Sequence, residues 1–170
     1  MRRYKMKQLY IKQKVFSLSG KFTVKDQKEK DVYYVEGSFM KIPKTFSIKD
    51  ENKNEIALIT KKVLSFLPKF FVEINGQEVL TIKKEFSFFK ARYNIEAAGM
   101  EVLGNWWDMD FQVLQNGKVI GKVNKEWFTW GDSYKVQILN EELETIVIAL
   151  VIAIDCVKAD EAAAASSSTH

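Results

Sequence analysis

The fold this sequence predicts is mainly β: a closed antiparallel barrel built from hairpins around a central hydrophobic C-terminal α-helix. Three observations carry the expectation. Strand–turn–strand patterns recur at a spacing of roughly 20 to 25 residues, about one hairpin each at ordinary strand lengths. The stretch ETIVIALVIAIDCV, residues 144–157, contains nine consecutive residues, Ile146 to Ile154, without a polar group. A meander of hairpins has two open edges, and closing into a barrel removes them.

The chain opens on MRRYKMKQLYIKQK, whose six basic residues meet no acidic one before Asp26. It lacks the apolar core and cleavage site of a signal peptide. TFSIKDENKNEIALITKK then reads as an alternating strand, a polar turn around Asn52–Asn54 and a second strand. KFFVEINGQEVLTIKK repeats the plan around Asn75-Gly76, and DFQVLQNGKVIGKV around Asn116-Gly117. Asn-Gly suits a type I′ hairpin because both central positions need positive φ. Weaker copies are KFTVKDQKEKDVYYVEG and RYNIEAAGMEVLGN. Opening strands are expected near Phe22, Phe46, Phe71, Tyr93, Phe111 and Tyr134.

The apolar run is too short to span a bilayer. As a helix, Thr145 to Val157 covers roughly 20 Å at 1.5 Å per residue, against about 30 Å of hydrocarbon. A surface helix would show a polar stripe, and this run shows none, so it must be covered on all sides. Its Ile and Val content leans towards strand. Its length leans towards helix, as do Asn140 as a cap and Glu141, Glu142 and Glu144 near the positive end of a helix dipole. A helix over residues 141–157, threaded through the barrel, accommodates a run that is apolar all round. Residues 1–158 then form one barrel domain. The low-complexity ADEAAAASSSTH, residues 159–170, is expected to be a disordered tail or partly artificial sequence.

Composition bounds the chemistry. The 170 residues are 46% hydrophobic and 28% charged, which allows one packed domain. The single cysteine, Cys156, excludes an internal disulfide and fits a reducing cytoplasm. The single histidine, His170, is the last residue, so neither a Cys/His zinc site nor a His-based dyad can be assembled. Net charge is +4 but uneven: residues 1–99 carry +10 and residues 100–170 carry −6. No phosphate loop, dinucleotide fingerprint or nucleophile elbow is present. No cofactor, metal or nucleic acid is implied.

The segments KEWFTWGDSYKVQI (125–138), ALVIAIDCV (149–157), LSFLPKFFVEINGQEV and GKFTVKD resemble the LURP-one-related family. That family lies within the Tubby C-terminal-like superfamily, which also includes the phospholipid scramblases. The resemblance covers most of residues 4–158. It implies a twelve-stranded antiparallel barrel around a hydrophobic helix, and it favours helix over strand for the apolar run. Tubby domains bind phosphoinositide headgroups through basic surface residues, but no short basic motif here matches theirs.

Several residue groups invite a functional reading. Trp127, Phe128, Trp130 and Tyr134 could form an aromatic cage, but strand alternation sends Trp127 and Phe128 to opposite faces, with Gly131-Asp132 as a turn. Of Trp106 and Trp107, one indole is expected to face inward. Asp108 and Asp110 would share one strand face about 7 Å apart, without a calcium loop around them. Cys156 reads as an inert core thiol.

The membrane-surface reading has the most positive support. Lys83, Lys84, Lys90 and Arg92 flank Phe86, Phe88 and Phe89, and Arg2 and Arg3 add charge at the N-terminus. A second apolar loop is expected at Leu67-Pro68. The resulting expectation is a non-enzymatic binding or scaffolding module that is cytoplasmic and peripheral at the inner membrane face. It would hold anionic phospholipid headgroups through those six basic residues. The competing class is a small-molecule carrier, or an enzyme with a pocket at a barrel mouth.

Overall fold

The computed structural model describes residues 6–12, 21–38, 43–62, 67–85, 92–97, 99–128 and 131–167. Twelve strands precede one helix. They are β1 (Lys7–Lys12), β2 (Lys21–Asp26), β3 (Asp31–Gly37), β4 (Lys44–Lys49), β5 (Glu55–Lys62) and β6 (Lys69–Ile74). Then come β7 (Gln77–Glu85), β8 (Arg92–Ala97), β9 (Met100–Asn105), β10 (Asp110–Gln115), β11 (Lys118–Phe128) and β12 (Gly131–Ile138). The helix α1 spans Glu144–Ser167.

All twelve strands join one antiparallel sheet, in the order β8-β7-β6-β5-β4-β3-β2-β1-β12-β11-β10-β9. Sequential hairpins supply most of the pairings, and β1 against β12 links the two ends of the chain, with Lys7 opposite Ile138 and Lys12 opposite Ser133. The sheet wraps almost fully around α1. It stays unzipped at one seam, between β8 and β9, which are its two edges.

The alternation in the sequence is the inside–outside alternation of the barrel. Ala57 and Ile59 on β5, Phe70 and Val72 on β6, and Leu80 and Ile82 on β7 are buried. Both Asn-Gly pairs form the expected turns: Asn75 and Gly76 have φ of 52° and 75°, Asn116 and Gly117 of 50° and 73°. Strands begin within two residues of five of the six expected opening positions; the sixth, Tyr134, lies inside β12, and its side chain is fully buried. The sequence reading assigned no strand to the basic N-terminal segment, yet β1 forms there. Its Leu9 and Ile11 point inward between polar neighbours, an alternation that the basic charge obscures.

Every residue of α1 from Val147 to Val157 is buried. The Asn140 side chain accepts from the Glu142 amide of a 3₁₀ turn, Glu141–Leu143, that leads into the helix. Glu144, nearly buried, accepts from Lys7 Nζ at 2.6 Å and from the Tyr33 hydroxyl, fixing the helix start to β1 and β3. Burial, then this hydrogen bond and the charge of Glu144, push the Tyr33 phenol up.

The far end of α1 corrects the expected boundary. The helix runs on to Ser167, so residues 159–167 are helical where disorder was expected. Two causes are visible. Alanine has the highest helix propensity, and Ala162 to Ala165 continue the helix. Asp160 and Glu161 are ion-paired to Lys61 and Lys84 on the barrel wall.

Close packing between helix and sheet is most demanding at Gly121 on β11. A Cβ placed there would lie 2.8 Å from Val147 Cγ1. Gly121→Ala should destabilise the protein by about 1–3 kcal/mol through overpacking, and Val147→Ala in the same chain should recover part of that loss. Thermal or denaturant melts of the single and double variants check this. Ala149→Asp or Ile152→Asp should abolish soluble expression, because an unpaired charge on the barrel axis costs several kcal/mol.

Candidate functional site

The barrel has two chemically different ends. The tight turns at Asn75-Gly76 and Asn116-Gly117 lie at the end where α1 enters. So do Asp26, Asp50, Glu51 and Glu78, mixed with Lys28, Lys30 and Lys53. At the other end α1 leaves, and five strands bring lysines to the rim: Lys21, Lys44, Lys61, Lys62, Lys69, Lys83 and Lys84.

Register sorts these lysines into an outer and an inner set. Lys62 on β5 stands opposite Lys69 on β6, which stands opposite Lys83 on β7. Each lies one residue from an inward-facing position, so all three share the outer face. Lys62 sits over the Phe71 ring at 4.4 Å, and Lys83 pairs with Glu96 at 2.6 Å. The inner set faces the helix. Lys61 bonds Asp160 at 2.6 Å, with both side chains largely covered. Lys44 approaches the same carboxylate at 3.9 Å, and Lys84 reaches Glu161 at 2.8 Å.

The residues singled out from sequence separate accordingly. Lys83 faces outward, and its chain neighbour Lys84 faces the helix, so the two do not present one patch. Arg92 begins β8 opposite Glu85. Lys90, Arg2, Arg3, Phe86, Phe88 and Phe89 lie outside the described residues. Leu67 and Pro68 are half-buried, and the Pro68 carbonyl accepts from the Lys84 amide at 3.1 Å. The sequence reading missed Lys62 and Lys69. The signal was available only as hairpin register, which aligns residues distant in the chain.

Other expectations are corrected. Gly131 and Asp132 begin β12 and do not form a turn, because β11 and β12 pair right up to Phe128 opposite Gly131. Trp106 and Trp107 occupy a 3₁₀ turn, not a strand, so neither alternates. Both are half-buried, edge to face at 5.6 Å. Asp108 closes that turn, its carboxylate accepting from the Asn105 side-chain amide, while Asp110 accepts from Asn124 on the next strand, so the two carboxylates have separate structural partners. Among the described residues, no group of three His, Cys, Asp or Glu side chains is placed to hold a metal ion, and no helix is long and apolar enough to cross a membrane.

The helix also carries a carboxyl into the barrel interior. Asp155 on α1 is buried, and its Oδ2 has no hydrogen-bond partner among the described residues. Burial pushes its carboxyl up to about 6, against the opposing pull of Lys158 and of the nearby Tyr134 hydroxyl. The Lys158 ammonium lies 5.7 Å from the Tyr134 ring, and burial lowers its pKa despite the nearby Asp155. Next along the helix, burial pushes the Cys156 thiol well up, which suppresses its nucleophilic form.

The folded protein holds the Asp155 proton more tightly than the unfolded chain does. The group therefore costs nothing below about pH 4, and its cost grows as pH rises from about 4 to 6 and is constant above. Holding the carboxyl at about 6 in place of 3.8 corresponds to roughly 3 kcal/mol. Asp155→Asn should raise stability at pH 7.5, and the gain should fade towards pH 4. Melting the two proteins across pH 4 to 8 measures the convergence; a constant difference across that range would contradict it.

The comparisons with known proteins agree on family and fold. A model of the LURP-one-related family matches residues 7–155. The uncharacterized protein YxjI of Bacillus subtilis (strain 168) is 33% identical over 152 residues, covering 89% of this chain and 94% of that one. The X-ray structure of a protein from Arabidopsis thaliana superposes with a TM-score of 0.60 at 12% identity, covering 90% of this chain and 92% of that one. At that identity the likeness speaks for the fold alone. With the family match spanning most of a chain that also has the twelve strands and axial helix expected of it, this protein belongs to the LURP-one-related family.

Proposed function

We propose that the protein is a non-enzymatic binding module that meets an anionic surface with the helix-exit end of its barrel. The anionic headgroups of phospholipids at the cytoplasmic membrane face are the specific partner in this reading. The observation that carries it is the register-aligned row Lys62–Lys69–Lys83. Like charges directly opposite one another on a sheet destabilise it. Three in a row on adjacent strands is a cost that an external anion would relieve.

The physics is that of peripheral attachment. Lysines near an anionic bilayer contribute on the order of 1 kcal/mol each, so the row supports weak, reversible and salt-sensitive binding. Lys83 would exchange its exposed carboxylate partner, Glu96, for a phosphate. The carrier or enzyme alternative has less support. Val147 to Val157 fill the barrel axis, which leaves a carried molecule only the barrel mouths.

Co-sedimentation with liposomes of graded phosphatidylserine content tests the proposal. Binding should rise with anionic lipid and fall with added salt. Lys69→Glu should weaken it about tenfold with little loss of melting temperature, since it turns the like-charge contacts with Lys62 and Lys83 into opposite-charge ones. Equal binding to neutral and anionic vesicles, or none at low salt, would overturn it.

A further inference from the structure

The described sheet order leaves two strand edges without a ladder partner, β8 and β9. β8 and β9 are joined through Gly99, whose φ is 69°. They form no ladder with each other, although each pairs fully on its other side, β8 with β7 and β9 with β10. An antiparallel strand directs about half its backbone groups to each side. Both strands therefore turn N–H and C=O groups towards the seam.

Side chains tell the same story. Ile95 on β8 stands opposite Ile82, and Val102 on β9 stands opposite Val113. Ile82 and Val113 are fully buried, whereas Ile95 and Val102, on the same inner face, are only half-buried. A cleft of about 470 Å³ lies on the β8 side of the seam, lined by residues 78–81 of β7 and 95–97 of β8, with Met100 from β9. Leu103, outward on β9, is one of two large exposed hydrophobic side chains among the described residues.

The outer faces of the two edges carry carboxylates, of which Glu96 is held by Lys83. Glu96 on β8 and Glu101 on β9 are exposed, one on each side of the gap. A second copy offering its own β8 or β9 edge would set these carboxylates against each other, which disfavours self-pairing. A strand with basic outward residues would meet complementary charge on both sides, while its alternate residues covered Ile95 and Val102.

We propose that the β8–β9 seam is a docking site for an extended peptide whose side chains alternate between apolar and basic. The peptide would add a thirteenth strand, its backbone pairing with one or both edges and its apolar residues completing the inner face.

The test uses three fluorescein-labelled hexapeptides: Lys-Val-Lys-Val-Lys-Val, its acidic counterpart Glu-Val-Glu-Val-Glu-Val, and the basic peptide N-methylated at alternate residues on its pairing edge. The basic peptide should raise fluorescence anisotropy saturably and protect β8 and β9 amides from hydrogen exchange. The acidic and N-methylated peptides should bind at least tenfold more weakly. Glu101→Lys should weaken the basic peptide several-fold without lowering the melting temperature. Equal binding of the N-methylated peptide, protection elsewhere on the barrel, or no binding at millimolar peptide would overturn the proposal. So would a peptide-independent dimer with protected β8 and β9, which would make a second copy the occupant.

Discussion

The structure depends on one constraint: a helical surface without a polar stripe must be covered on every side. Val147 to Val157 meet that requirement with a sheet that wraps them, and the inward residues of the sheet are themselves buried only because the helix is there. Neither part is a stable unit alone. The fit is set by details such as Gly121, where the absence of a side chain lets β11 approach Val147. Polar fixings come at the ends of the helix. Glu144 ties its start to Lys7 and Tyr33, and Asp160 and Glu161 tie its exit to Lys61 and Lys84.

Filling the axis with a helix moves the chemistry outward. Asp155, buried on the helix, has its carboxyl pushed up to about 6 by burial, and its neighbours Tyr134 and Lys158 offset part of that effect. What remains accessible is the rim where the helix leaves and the seam where the sheet fails to close. The rim is basic on its outer face because register stacks lysines from different hairpins. The seam is apolar inside and acidic outside because strand alternation continues to its edges.

Much of this was legible in the sequence, for identifiable reasons. Asn75-Gly76 and Asn116-Gly117 mark turns that demand positive φ, so their hairpins could be read locally. The apolar run declared its own burial. Three things were not local. β1 hid under its lysines, although Leu9 and Ile11 alternate correctly. The helix end could not be read from alanines that suit either a tail or a helix, since the deciding partners, Lys61 and Lys84, lie some eighty to a hundred residues away. The lysine row depends on pairing between strands. Reading charge along the chain instead joined Lys83 to Lys84, which alternation sends to opposite faces.

The rim and the seam are not independent, because one ion pair belongs to both. Lys83 is the last member of the lysine row, and its partner Glu96 stands at the edge of the cleft. An anion that takes Lys83 leaves Glu96 without its cation and so strengthens the seam's attraction for a basic strand. A basic strand that takes Glu96 frees Lys83 for an anion. Linkage requires the two effects to be equal. Their size is bounded by the worth of the pair itself. Lys83 and Glu96 are both exposed, and exposed pairs contribute about 0–1 kcal/mol. The coupling is therefore positive and modest, at most about fivefold in affinity, and it vanishes as salt screens the pair.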